Sequence, residues 1–181
     1  TSHNPAGSSS TYINLPLRRH RRARWALVVL GAAVALSAAS AVLSAVYDSA
    51  SLRVALWDQE STLECRDEAM TLQGVDARVE NGQVVRAHNC ELHIIDSTLD
   101  GPEGIFAVES TVTLENSVVK GRGQGIGVTG GSDLVLSGTT VSSPNIGIRF
   151  GSTGVLDLQK RSHISGGAKG LSLAAGGKVL I

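Results

Sequence analysis

Short triplets of the form apolar-x-apolar return along this chain at a nearly constant interval. They begin at Met70, Leu92, Val112, Leu134, Leu156 and Val179, with spacings of 22, 20, 22, 22 and 23 residues. A second series keeps the same period, seven or eight residues before each later triplet: Val85 with Ala87, Ile105 with Ala107, Ile126 with Val128, Ile148 with Phe150, and Leu171 with Leu173. A third follows the triplets: Val75 and Ala77, Ser97 and Leu99, Ser117 and Val119, Thr139 and Val141, Ser162 and Ile164. Three registers locked to one period constrain the fold more than any other feature. Each repeat then holds three short stretches of period-2 alternation, too short for helices and unable to close a sheet alone. Turn residues separate them, as at Asp100-Gly101, Lys120-Gly121, Ser142 to Asn145 and Gly166-Gly167.

A period near 22 also fits a leucine-rich repeat, but that pattern needs Leu at several fixed positions with an Asn or Cys, and most repeats here lack it. One repeat per coil of a parallel β-helix fits, with equivalent residues stacked on parallel sheets. In this glycine-punctuated form, over about residues 63–181, the chain resembles the right-handed parallel β-helix repeat family. The resemblance is one of pattern and carries no signature motif. It implies an all-β fold of about five coils of 20–23 residues and three short parallel sheets. At an inter-strand spacing of about 4.8 Å this is a rod about 24 Å long.

The alternation assigns the inward columns. They are the triplet ends from Met70 and Leu72 to Leu156 and Leu158, the series Ile105, Ile126, Ile148 and Leu171, and a smaller column of Ser97, Ser117, Thr139 and Ser162. Aromatic residues are only 3% of the chain, so Val, Leu, Ile and Ala build the core. Gly104, Gly125, Gly147 and Gly170 each precede a second-series strand and mark one corner on successive coils. A rod has open ends that must be covered. At the N-terminal end, residues 47–61 form a linker and short capping helix with Leu52, Leu56 and Trp57 facing the first coil. At the other end "KVLI" is an apolar strand without a polar cap, so either the native chain continues or that edge meets a partner.

Before the repeats, residues 1–17 are a polar, flexible arm. Residues 18–24 hold the basic cluster Arg18, Arg19, Arg21, Arg22 and Arg24, and residues 25–46 contain no charge. At about 1.5 Å per residue this run is just long enough for a transmembrane helix through a bilayer core of about 30 Å. A cleavable signal peptide is the rival, since Ala39 to Ala41 resembles a cleavage site; the length of the apolar run favours an anchor. The arginines place the N-terminus in the cytoplasm and residues 47–181 outside it, periplasmic or extracellular. Small residues at Ala33, Ser37, Ala41 and Ala45 would let a partner helix pack closely within the lipid.

The net charge of zero hides a segregation. Residues 1–47 carry +5, residues 48–115 carry −10 and residues 116–181 carry +5, a statement about partners rather than fold. An even cysteine count and an extracytoplasmic placement favour a Cys65–Cys90 disulfide over a metal site, with two buried free thiols as the alternative. The bridge would close a loop worth about 3 kcal/mol in the chain-entropy model.

The outward columns read Thr71, His93, Thr113, Val135, Asp157; Arg86, Phe106, Gly127, Arg149, Ser172; and Asp76, Thr98, Val118, Thr140, His163. No two carboxylates stack on successive coils, as acid/base chemistry on polysaccharides would need. Asp96 and Asp100 near His93 form the one grouping to test, against an ordinary reading as turn aspartates and an exposed histidine. The glycines of "GRGQGIG" lack the following helix of a dinucleotide loop. The expectation is a membrane-anchored, non-enzymatic structural or docking module, a candidate subunit of a larger membrane complex. It would need no cofactor and no nucleic acid, with lipid and other proteins as partners. The alternatives are the sensor arm of a longer signalling protein and a carbohydrate-binding or carbohydrate-active β-helix, for which stacking aromatics are scarce.

Overall fold

The computed structural model describes residues 49–174 and 176–181. The basic cluster, the apolar run proposed to span a membrane and its small-residue face lie outside the described residues. Among those described, no helix is long and apolar enough to cross a membrane.

Chain order begins with α1 (Ser49–Leu56), β1 (Leu63–Arg66), β2 (Ala69–Gln73), β3 (Asp76–Arg78), β4 (Gln83–His88), β5 (Glu91–Ile95), β6 (Thr98–Val108) and β7 (Thr111–Glu115). It continues with β8 (Val118–Gly130), β9 (Asp133–Ser137), β10 (Thr140–Ser143), β11 (Ile146–Ser152), β12 (Val155–Gln159), β13 (His163–Gly166), β14 (Lys169–Leu173) and β15 (Lys178–Leu180). All ladders are parallel and join equivalent residues of successive coils, giving a β-solenoid of about five turns.

The three sequence registers are the three rows of strands. In the first, Met70 pairs with Leu92, then Val112, Leu134, Leu156 and Val179. In the second, Ala77 pairs with Leu99, then Val119, Val141 and Ile164. In the third, Leu63 pairs with Val85, then Ile105, Ile126, Ile148 and Leu171. The expectation of three separate sheets is corrected. The first row is a six-stranded sheet, and the other two are joined into one of nine strands. β6 and β8 run unbroken through the corner between rows, so Asp100-Gly101 and Lys120-Gly121 lie inside strands and are not turns. Glycine-rich stretches there allow the chain to bend while its ladder persists. The irregular period has a local origin: the offset between these coils is 20 at Thr98 and Val118, 21 at Ile105 and Ile126, and 22 at Val112 and Leu134. Single extra residues are absorbed at the corners, the first as a register shift after Gly101.

The interior is aliphatic. Leu72, Leu92, Ile94, Leu114, Leu134, Leu136 and Leu156 are fully buried in the first row, as are Ile105, Ile126 and Ile148 in the third. One inward column changes size along the rod: Cys65, Ala87, Ala107, Val128 and then the fully buried Phe150.

Hydroxyls fill two inner corners. The Ser97 amide donates to Ser117 Oγ at 3.1 Å, the Ser117 amide to Thr139 Oγ1 at 3.4 Å, and the Thr139 amide to Ser162 Oγ at 3.4 Å. Each hydroxyl also donates to a nearby carbonyl, Ser117 Oγ to Glu115 O at 2.7 Å among them. The second ladder has no counterpart in the sequence reading: Cys90 N–H donates to Ser110 Oγ at 3.1 Å and Ser110 N–H to Ser132 Oγ at 2.9 Å. Among the described residues no buried side-chain polar atom lacks a partner, as a low-dielectric interior demands.

Left-handed residues also stack. After the first-row strands come Gly74, Asp96, Asn116, Gly138 and Lys160, with φ of 65°, 49°, 47°, 60° and 45°. The first four each donate their N–H to the next coil's carbonyl, as Asp96 does to Glu115 O at 3.0 Å. Asp67, Asn89 and Glu109 form a second such column, and Asn89 Nδ2 donates to Asp67 Oδ1 at 2.8 Å. Asn and Asp tolerate this conformation better than other side chains.

α1 packs on the N-terminal end, but with a different face from the expected one. Ala50 is buried, and Val54 and Trp57 pack partly against the core, while Leu52 and Leu56 are 47% and 76% exposed. The i, i+4, i+7 face carries the contact. Cys65 and Cys90 are joined by a disulfide with a Cα separation of 6.0 Å, tying β1 to the corner after β4. In the last coils Leu173 and Leu180 are about half exposed and Ile181 fully so.

Three of the four corner glycines, Gly104, Gly125 and Gly147, are required by space rather than by φ, whereas a Cβ on Gly170 would make only an ordinary contact, 3.4 Å from Ile164 O. A Cβ on Gly125 would lie 2.4 Å from Gly147 O and 2.6 Å from Val141 Cγ1, and one on Gly147 would lie 2.5 Å from Gly170 O. Gly131 has open space around it. Gly125→Ala is therefore expected to cost roughly 1–3 kcal/mol, and Gly131→Ala less than about 0.5 kcal/mol, in urea unfolding. Equal losses would mean that the corner can relax.

Candidate functional site

The outer face of the third row carries a groove of about 560 Å3. Two neighbouring columns supply its side chains. The first stacks Gln83, Glu103 and Gln124 in ladder register, and the second stacks Phe106, Gly127 and Arg149, with Arg86 and then Glu64 continuing that column beyond the groove's lining. Sequence alternation had placed the second column outward; the first was not singled out, because it lies beside the corner where β6 and β8 bend.

Glu103 is the organising group. Its Oε2 accepts from Gln83 Nε2 at 3.1 Å and its Oε1 from Gln124 Nε2 at 2.6 Å. A Cβ on Gly127 would meet Gln124 Nε2, Glu103 Oε1 and the Phe106 ring at 3.2 Å or less. The bare glycine thus lets a carboxylate, an amide and an aromatic ring converge over one point of the sheet. Burial pushes the Glu103 carboxyl above its ordinary pKa, while the Gln83 hydrogen bond and the Arg149 and Arg86 charges pull it down. Both arginines are exposed and, among the described residues, neither makes a salt bridge.

Among the groove-lining residues Glu103 is the single carboxylate. A glycosidase-type mechanism uses two flanking acids, and the lining of this groove supplies one. The groove offers one guanidinium, that of Arg149, with amide groups and one apolar ring, and Arg86 stands one coil beyond Phe106 on the same face. A second recess, lined by Asp58, Glu60, Asp76, Arg78 and Glu80, gathers acids; Glu80 lies 3.9 Å from Arg122 and 4.0 Å from Arg78. Among the described residues no cluster of three or more His, Cys, Asp or Glu is placed to hold a metal.

His93, Asp96 and Asp100 are not brought together as a site. His93 Nε2 lies 3.4 Å from Glu91 Oε1, Asp96 occupies a left-handed turn position, and Asp100 lies in β6 of the other sheet. Gly104, Gly125 and Gly147 permit the close packing of successive coils, while the space at Gly170 would admit a Cβ. Comparison with protein families, with characterised proteins and with solved structures finds no match for this chain.

Because Glu103 holds its proton more readily folded than unfolded, it stabilises the fold fully below its unfolded-state pKa. That contribution is lost as pH rises through the higher folded-state value. Glu103→Gln is expected to remove this fall from the stability profile, measured by urea unfolding from acid to neutral pH. Profiles of identical shape would show that the carboxyl is not burdened by burial.

Proposed function

We propose that the chain is a single-pass membrane protein whose solenoid lies outside the cytoplasm and serves as a rigid docking module, a subunit of a larger membrane complex. Its coils wind in the right-handed sense that parallel β crossovers prefer. The observation that carries this reading is the contrast between interior and face. The interior is an aliphatic stack with every described buried polar side-chain atom partnered, while the third-row groove sets Arg149, without a salt bridge among the described residues, and the Phe106 ring beside the Glu103 carboxylate, with Arg86 next along the same face. The disulfide supports an oxidising compartment. The uncharged run at residues 25–46 and the arginines before it support the anchor and its orientation. Contacts through the small-residue face Ala33, Ser37, Ala41 and Ala45 and through the exposed last coil belong to the same reading.

Single added thiols test it. With Asn145→Cys, at an exposed position of the groove's lining, and, on the opposite sheet, Gln159→Cys, a membrane-impermeant maleimide applied to intact cells should label Gln159→Cys freely. It should reach Asn145→Cys only after detergent disperses the complex. Equal labelling at both positions would remove the docking role, and labelling that requires permeabilised cells would reverse the topology.

A further inference from the structure

Arg86 and Arg149 occupy one outward column, separated by Phe106 and Gly127. Three inter-strand steps of about 4.8 Å set them about 14 Å apart along the rod. An extended peptide rises about 3.4 Å per residue, so side chains at i and i+4 are also about 14 Å apart and point the same way as i+2. The middle side chain falls about 7 Å along, between the levels of Phe106 and Gly127.

From this match we infer that the third-row face, from Arg86 across the groove to Arg149, takes an extended acidic peptide segment of a partner protein, with the pattern acid-x-apolar-x-acid. The inference rests on the docking reading and names the chemistry of what docks. Each guanidinium is exposed and without a salt bridge among the described residues, free to take a carboxylate in the two-point geometry that arginine favours. The half-buried Phe106 ring seats the apolar side chain.

Gln83 and Gln124 commit their amide nitrogens to Glu103. Each Oε1 remains an acceptor for a peptide N–H, and neither accepts a hydrogen bond from a described residue. The Glu103 carboxyl attracts a cation and repels an acid, but it stands between Arg86 and Arg149, whose charges both act on it, and an acidic side chain at either end of the peptide meets a guanidinium rather than the carboxyl. A sugar chain fits less well, because the groove holds one aromatic side chain and that ring is half covered.

The test uses the full 181-residue chain and fluorescein-labelled peptides, with binding read by anisotropy. The probes are Glu-Ser-Leu-Ser-Glu, its shuffled form Glu-Glu-Leu-Ser-Ser, and the neutral Gln-Ser-Leu-Ser-Gln. The first should bind at least about tenfold more tightly than the other two, and Arg149→Gln should weaken it by about tenfold, as loss of a charge-assisted bond does. Added salt should weaken it as well. Phe106→Ala should also weaken it; Phe106→Leu, which keeps the apolar volume, guards against loss of fold and should retain most of the binding. The shuffled peptide binding equally would overturn the inference, and so would a uronic-acid trisaccharide binding where the acidic peptide does not. An Asn145 position shielded in the membrane beside a folded chain that ignores all three peptides would overturn the peptide ligand while leaving the docking role in place.

Discussion

The main-chain hydrogen bond between a residue and its equivalent about one period later is the constraint on which the rest depends. A single coil has three short strands and no second layer, so it cannot bury its own apolar face. Stacking solves both problems together, since the parallel ladder satisfies the backbone while the side chains of each column meet their equivalents above and below. The corners then face the hardest demand, because there the chain turns inward and its polar groups leave the ladder. The Ser97–Ser117–Thr139–Ser162 and Cys90–Ser110–Ser132 ladders meet that demand inside. The left-handed Asp, Asn and Gly positions meet it outside.

The disulfide and α1 serve the same constraint at the N-terminal end, where no preceding coil is described to complete the stack. Cys65 and Cys90 are both nearly inaccessible, so the bridge is as much a piece of the first inner corner as a covalent tie. α1 adds Ala50, Val54 and Trp57 to the same end, and the Arg53–Glu68 ion pair fixes it to the turn before β2.

The strand columns were legible in the sequence because burial there depends only on period-2 alternation and a constant repeat, both of which survive in a string of letters. Every triplet fell into its observed register. Other features were harder for identifiable reasons. Left-handed positions are occupied by Asp, Asn, Glu, Lys and Gly in turn, so no single residue type marks them. α1 carries apolar residues on two faces; Leu52 and Leu56 are the larger, but Ala50, Val54 and Trp57 are the ones that pack on the core. β6 and β8 contain residues that usually end strands, and only the stacked neighbours keep them paired. At the groove, Glu103 has no carboxylate stacked on it, because its neighbours one coil away on either side are glutamines. The informative pattern was an acid held between amides.

The column from Cys65 through Ala87, Ala107 and Val128 to Phe150 bears on a hazard peculiar to repeats. Where coils are alike, a chain can pair one turn out of place and still satisfy its backbone. Here such a slip would put the Phe150 ring on the level built for Val128, and Val128 on the level built for Ala107. Overfilled and underfilled layers would then follow one another down the rod, each carrying a packing penalty. The hydrogen bonds say only that one coil follows another; graded side-chain volume gives each coil an address.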